Sequence, residues 1–225
     1  MGISQQQLMK LTGRHLNFKS KPENLVLATT TDDVSLRETL EGKARKPYEW
    51  FQIFDQNDQP IVVDGKEVVM YRKECHGDDR IRGVYHRGAN AFIVSPDHKL
   101  LVPIRSSDKD LYPSMGDVSV SEHVNVRETY FDSTLRGFHE EQGVDIDSRQ
   151  LRLIMKLPMN DSDQSEMCEY YVFAHNGETY KISDETASQR WVNLKSLVGK
   201  NIGKELNFRP DHLPALERFV ADYEF

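Results

Sequence analysis

The 225-residue chain is poor in cysteine, with only Cys75 and Cys168. Two thiols so far apart make neither a disulfide framework nor a cysteine-rich metal site. No stretch approaches the roughly 18 apolar residues that a membrane-spanning helix needs. Residues 1–7 lack a basic segment followed by an apolar one, so no secretory signal is read there. Nor is there an excess of basic charge: 29 Lys and Arg face 36 Asp and Glu, a net charge of −7. Affinity for nucleic-acid polymers rests largely on Lys and Arg against phosphate, so that partner class is disfavoured. Internal repeats and low-complexity tracts are missing too. What remains, 38% apolar and 29% charged residues, is ordinary globular composition. The expectation is a cytoplasmic protein with no membrane partner, a homodimer being left open.

Organisation changes near residue 48. Residues 1–47 read as an N-terminal extension, with short helices expected at 5–11 and 34–40 around a polar stretch of little periodicity. Residues 48–225 read as one domain. Trp50 to Phe54 alternates and then breaks at the turn-rich Asp55 to Asp58. Ile61–Val63 and Glu67–Tyr71 flank Asp64-Gly65, a hairpin signal. A second hairpin is expected from 84–95 and 99–105 around 96–98. Further strands are expected at 151–157, 167–174 and 190–193. Thr129 can cap a helix over 130–142 that Gly143 stops, with Phe131, Leu135, Phe138 and Gln142 along one stripe. Another helix follows Pro210, with Leu213, Leu216, Phe219 and Val220 at helical spacing. Strands with interspersed helices predict an α+β fold, a mixed sheet packed between helices in an α/β/α sandwich.

Chemistry concentrates in 119–144. A loop ending in Glu128 leads into the helix carrying Arg136, Glu140 and Glu141. Carboxylates at a loop–helix junction and one to three turns later can converge, and clustered hard oxygens suit Mg²⁺ or Mn²⁺ bridging to substrate phosphates. Arg136 and Glu140 stand four apart, so the guanidinium can orient a ligating carboxylate. Between Gly116 and Glu185 there are fifteen acidic and six basic side chains, so the acidity lies where a cation would sit.

This segment resembles the Nudix box, G-x5-E-x7-R-E-U-x-E-E-x-G-U, where U is a bulky aliphatic residue. Glu128 takes the first Glu, Arg136 the Arg, Phe138 the first U, Glu140 and Glu141 the Glu pair, and Gly143 and Val144 the close. Two positions depart: the opening Gly is Glu122, and the Glu after the Arg is Gly137. The resemblance extends over about 48–222 to the branch of type I isopentenyl-diphosphate isomerases and related Nudix hydrolases. His86-Arg87-Gly88 is similar to that branch's H-R-A entry. The stretch from Arg105 through Lys109 to Pro113 is similar to a segment whose Arg and Lys face the diphosphate. Glu166-Met167-Cys168 resembles a strand carrying a further acidic ligand, and Trp191 a Trp whose indole lies over the substrate.

The resemblance implies a Mg²⁺- or Mn²⁺-dependent hydrolase of a diphosphate linkage in a small, nucleotide-derived substrate. Glu128, Glu140 and Glu141 would hold metal; Arg105, Lys109 and Trp191 would meet substrate. The base would be Glu122, Glu141 or Glu166, with Glu122 a replacement for the carboxylate missing at Gly137. Arg136 would orient, and His123 would be a ligand, proton shuttle or backbone-bonded loop residue. His76 and His86 are expected to be structural, and Glu169 a solvated strand residue. Two alternatives stand beside this. One is a catalytically silent domain that senses a nucleotide or phosphorylated metabolite, motivated by Gly137. The other is an isomerase-like enzyme, which must do without the proton-transferring Cys because Ser121 stands in its place.

Overall fold

The computed structural model describes residues 25–28, 50–77 and 80–224. The helices expected at 5–11 and 34–40 lie outside these residues. The chain forms two compact units. One comprises Met1–Arg87, His123–Thr129 and Pro158–Met167, the other Gly88–Glu122, Tyr130–Leu157 and Cys168–Phe225.

In the first unit, β1 (Leu25–Ala28), β2 (Trp50–Gln52), β3 (Val62–Val63) and β4 (Lys66–Tyr71) make an antiparallel sheet centred on β4. β1 falls inside the stretch read as aperiodic. Four apolar residues are too short for a period to register, and the backbone ladder comes from distant β4. The Asp64-Gly65 signal holds: both residues have positive φ, 50° and 74°, as a two-residue hairpin turn requires. β2 stops because the Asp55 carboxylate accepts hydrogen bonds from the N–H groups of Asn57 and Gln59, a local alternative to the ladder. Phe51, Ile53, Val68, Met70, Cys75 and Val84 form the core there. The single helical turn α1 (Arg72–Cys75) follows β4 directly and delivers His76.

A second sheet runs β10-β6-β5-β9-β8, with β7 also on β5. Its strands are β5 (His86–Val94), β6 (Lys99–Arg105), β7 (Val120–His123), β8 (Leu151–Asn160), β9 (Ser165–Ala174) and β10 (Thr186–Asn193). Residues 89–94 are buried without interruption, the mark of a strand covered on both faces.

Helix α2 (Tyr130–Gln142) has the expected bounds. At its end Gly143 has φ 67°. Its N–H bonds His139 O at 3.1 Å, and Val144 N–H bonds Phe138 O at 3.1 Å, satisfying carbonyls that a helix end leaves open. The buried face differs from the expected stripe. Tyr130, Ser133, Thr134, Gly137, Phe138 and Gln142 are buried, whereas Phe131 and Leu135 are half-buried. Small side chains at 133, 134 and 137 let the helix seat closely, so the face follows size rather than hydrophobicity. Gln142 donates to Ser119 O at 2.6 Å. Helices α3 (Ile202–Leu206) and α4 (Leu213–Asp222) follow, and Phe219 of α4 stacks on Phe92, centroids 4.5 Å apart. The class is α+β, as expected. Among the described residues no helix is long and apolar enough to cross a membrane.

A buried ion network holds the second unit. Arg209 meets Asp117 at 2.9 Å and also Asp211, while Arg105 reaches Asp117 at 2.7 Å. Burial alone would raise the Asp117 carboxyl, but Arg209, then His212 and Arg105, outweigh it and hold it below the ordinary range. Its stabilising contribution is therefore complete above the ordinary carboxylate pKa and is lost only as pH falls through the lower folded value. Asp117→Ala, which leaves the buried Arg209 with Asp211 alone and takes the carboxylate partner from Arg105, is expected to cost about 3 kcal/mol in urea unfolding at neutral pH.

Candidate metal centres and functional site

In the first unit, α1, β5, the end of β7 and the start of β9 place His76, His86, His123 and Glu166 together. One ligand atom from each lies within 4.8 Å of all the others. His76 Nδ1 faces Arg72 O at 3.0 Å, and His86 Nδ1 faces Ser165 O at 3.1 Å. A carbonyl only accepts, so both rings carry their proton on Nδ1 and turn a bare Nε2 lone pair inward. These two Nε2 atoms are 3.2 Å apart. The Glu166 carboxylate stands 3.4 Å from His86 Nε2 and 3.1 Å from His123 Nε2. Phe51 packs on the imidazoles, its ring centroid 4.8 Å from those of both His86 and His123.

Protonation does not supply the missing positive charge. Burial lowers His76 to about 4, helped by His123 and Arg72. Burial also pushes His86 well down, Glu166 opposing. At neutral pH both are uncharged, so two Nε2 lone pairs meet beside the Glu166 carboxylate. Such a set fits a cation. Three imidazoles and a carboxylate suit zinc or manganese better than magnesium, and the Nδ1–carbonyl bonds are the outer contacts that orient metal-binding histidines.

The second unit gathers another group. From β7, Glu122 pairs with Arg136 at 2.8 Å; Arg136 also reaches Glu140 at 3.2 Å and Ser133 Oγ at 3.1 Å. Glu141 accepts from the Ser121 N–H at 3.0 Å. Desolvation, with the nearby charge of Glu122 next, holds the Glu141 carboxyl well above its ordinary range. Glu122 and Glu140 thus share one guanidinium, while Glu141 rests on a backbone N–H. Hard oxygens in charge excess fit Mg²⁺ or Mn²⁺, which would favour the ionised form of Glu141.

The other expected residues are placed as follows. Glu128, in the first unit, accepts from the Asn125 N–H at 2.9 Å and so braces its own loop. Arg105 donates to Asp117 and to Leu111 O, so part of its guanidinium is committed internally. Lys109 meets the exposed Glu185 at 2.6 Å. Trp191 is 39% exposed and packs against His175 and Tyr180, at 5.2 and 6.3 Å between centroids. Glu169, read as a solvated strand residue, is half-buried; it takes the Tyr171 hydroxyl at 2.6 Å and Lys156 at 3.2 Å.

Sequence reasoning missed that His76 and His86 belong with His123 and Glu166. Two histidines ten residues apart match no helical or strand period that would aim them at one point. Four His and Glu residues flanking strand ends were the available signal.

No family model matches the chain. It is 37% identical over 162 residues to an uncharacterized Nudix hydrolase of Nostoc sp., spanning 72% of this chain and 95% of that one. A Nudix hydrolase of Deinococcus radiodurans is 29% identical over 124 residues, 55% of this chain and 72% of its own. Among solved structures, a protein from Deinococcus radiodurans superposes with a TM-score of 0.56 at 22% identity, covering 76% of this chain and 98% of its own. A MutT protein from Methanosarcina mazei gives 0.52 at 17%, covering 61% and 94%. Both likenesses are of fold.

For the metal-free protein, the lowered His76 fixes a pH window. Between about 4 and the ordinary 6.5, the unfolded chain binds the extra proton, so unfolding free energy climbs with pH across that interval and levels off above it. Denaturant titrations of EDTA-treated protein are expected to show this rise, and His76→Phe to make it shallower.

Proposed function

This chain belongs to the Nudix hydrolase family, and we propose that it hydrolyses the diphosphate linkage of a small, nucleotide-derived molecule with a divalent cation. The observation that carries the reading is the grouping of Glu122, Arg136, Glu140 and Glu141, in which carboxylates outnumber cationic partners. Glu140 and Glu141 are the proposed holders of Mg²⁺ or Mn²⁺ in the second unit; Glu128, which the box resemblance groups with them, lies in the first unit and braces its own loop. When bound, the cation neutralises phosphate oxygens and makes water more acidic.

The chain's own groups do the rest. Arg136 holds the carboxylates of Glu122 and Glu140, and the Ser121 N–H holds Glu141. Lys109, paired with Glu185, supplies a positive charge toward phosphate; Arg105, partly committed to Asp117, orders the segment that carries it. Glu166 is engaged by two imidazoles, which leaves Glu122 and Glu141 to accept a proton from the attacking water. Trp191 offers an exposed aromatic face to an organic moiety. The proposed setting is the cytoplasm, and the substrate a small molecule rather than a polymer.

Assay of a panel of nucleoside diphosphate compounds with Mg²⁺ or Mn²⁺ tests the reading. Turnover is expected, and Glu141→Gln is expected to lower kcat on the order of a hundredfold with the melting temperature held. Saturable binding without turnover at any metal or pH would instead favour a silent sensor.

A further inference from the structure

Position 137 has no room for a side chain. A Cβ built there would lie 2.5 Å from Val120 Cγ1 and 2.7 Å from Glu122 Cγ, both closer than packed carbons approach. Gly137 is helical, so backbone freedom is not what it supplies; in a helix interior glycine costs about 0.5–1 kcal/mol relative to alanine. Its use here is volume. The space a 137 side chain would enter is already filled from β7, and the filling group is Glu122.

The two departures from the box pattern are therefore one event in space. Where the pattern has a small residue at 122 and an acid at 137, this chain has the acid at 122 and the small residue at 137. The side chain from β7 crosses the volume above Gly137 and ends on Arg136, 2.8 Å away. There its charge is felt by Glu141.

We infer that Glu122 delivers to the cation site of Glu140 and Glu141 the carboxylate that position 137 lacks, and that Gly137 exists to admit it. This rests on the metal-dependent reading above. It makes Glu122 a cation-facing carboxylate, leaving the proton-accepting role to Glu141. It also turns an apparently damaged box into a donor set completed from a strand instead of the helix.

The test reads binding and stability rather than turnover. Protein is loaded with one equivalent of Zn²⁺, which imidazoles prefer, and Mn²⁺ is then titrated by electron paramagnetic resonance. Glu122→Gln is expected to weaken Mn²⁺ binding by about tenfold or more with little change in melting temperature. Val120→Ala/Glu122→Gly is expected to bind as weakly. Adding Gly137→Glu to that pair is expected to recover most of the lost affinity. Without metal, Gly137→Ala is expected to lower Tm in the wild-type background and not in the Val120→Ala/Glu122→Gly background.

Glu122→Gln binding Mn²⁺ like wild type overturns the inference and leaves Glu122 a structural partner of Arg136. A folded triple variant that recovers nothing overturns it as well. Wild-type protein that takes up no Mn²⁺ overturns the metal-dependent reading itself, and this inference with it.

Discussion

The Nε2 lone pairs of His76 and His86 face one another across 3.2 Å, with the Glu166 carboxylate and His123 beside them. Both rings are held in that orientation by backbone carbonyls on their far sides, and both are too buried to take up a proton at neutral pH. Two imidazole lone pairs brought this close repel one another unless a positive charge lies between them. Much of the first unit is arranged to hold this geometry. β4 runs straight into α1 so that His76 follows within one turn, and Phe51 from β2 fills the apolar side. A buried acceptor without a donor costs roughly 1–3 kcal/mol, more when charged. A divalent cation would convert that cost into a bond, and folding and metal uptake would be linked.

Charge is handled differently in the second unit. The Asp117, Arg209, Asp211 and Arg105 network closes on itself, each carboxylate matched by a guanidinium. The grouping around Arg136 does not close, because Glu122 and Glu140 share that guanidinium while Glu141 rests on a backbone N–H. This contrast separates the residues proposed for chemistry from those that only support them. It also moves Arg105 toward support, through its bond to Asp117.

Legibility from sequence tracks the range of the interaction that makes each feature. Local features were readable: the Asp64-Gly65 turn, the Gly143 stop and the span of α2 depend on a handful of neighbours. The α+β class followed from alternating patterns that sheets and helices impose. The inward face of α2 was misjudged, since Phe131 and Leu135 looked core-like while close seating depended on Ser133, Thr134 and Gly137. β1 was hidden because its ladder is supplied by β4, some forty residues on. The convergence of His76 and His86 with His123 and Glu166 depends on where strands end in space, which spacing does not encode. Gly137 and Glu122 were both visible as departures; that one fills the other's space was not.

The claim that acceptors converge on a cation is tested most directly by zinc-edge X-ray absorption on protein equilibrated with one equivalent of Zn²⁺ and dialysed. Retained zinc is predicted, with about four nitrogen and oxygen neighbours near 2.0–2.1 Å and the outer-shell scattering of several imidazoles, diminished in His86→Ala. Zinc lost on dialysis, or retained in a shell without imidazole, would contradict the account.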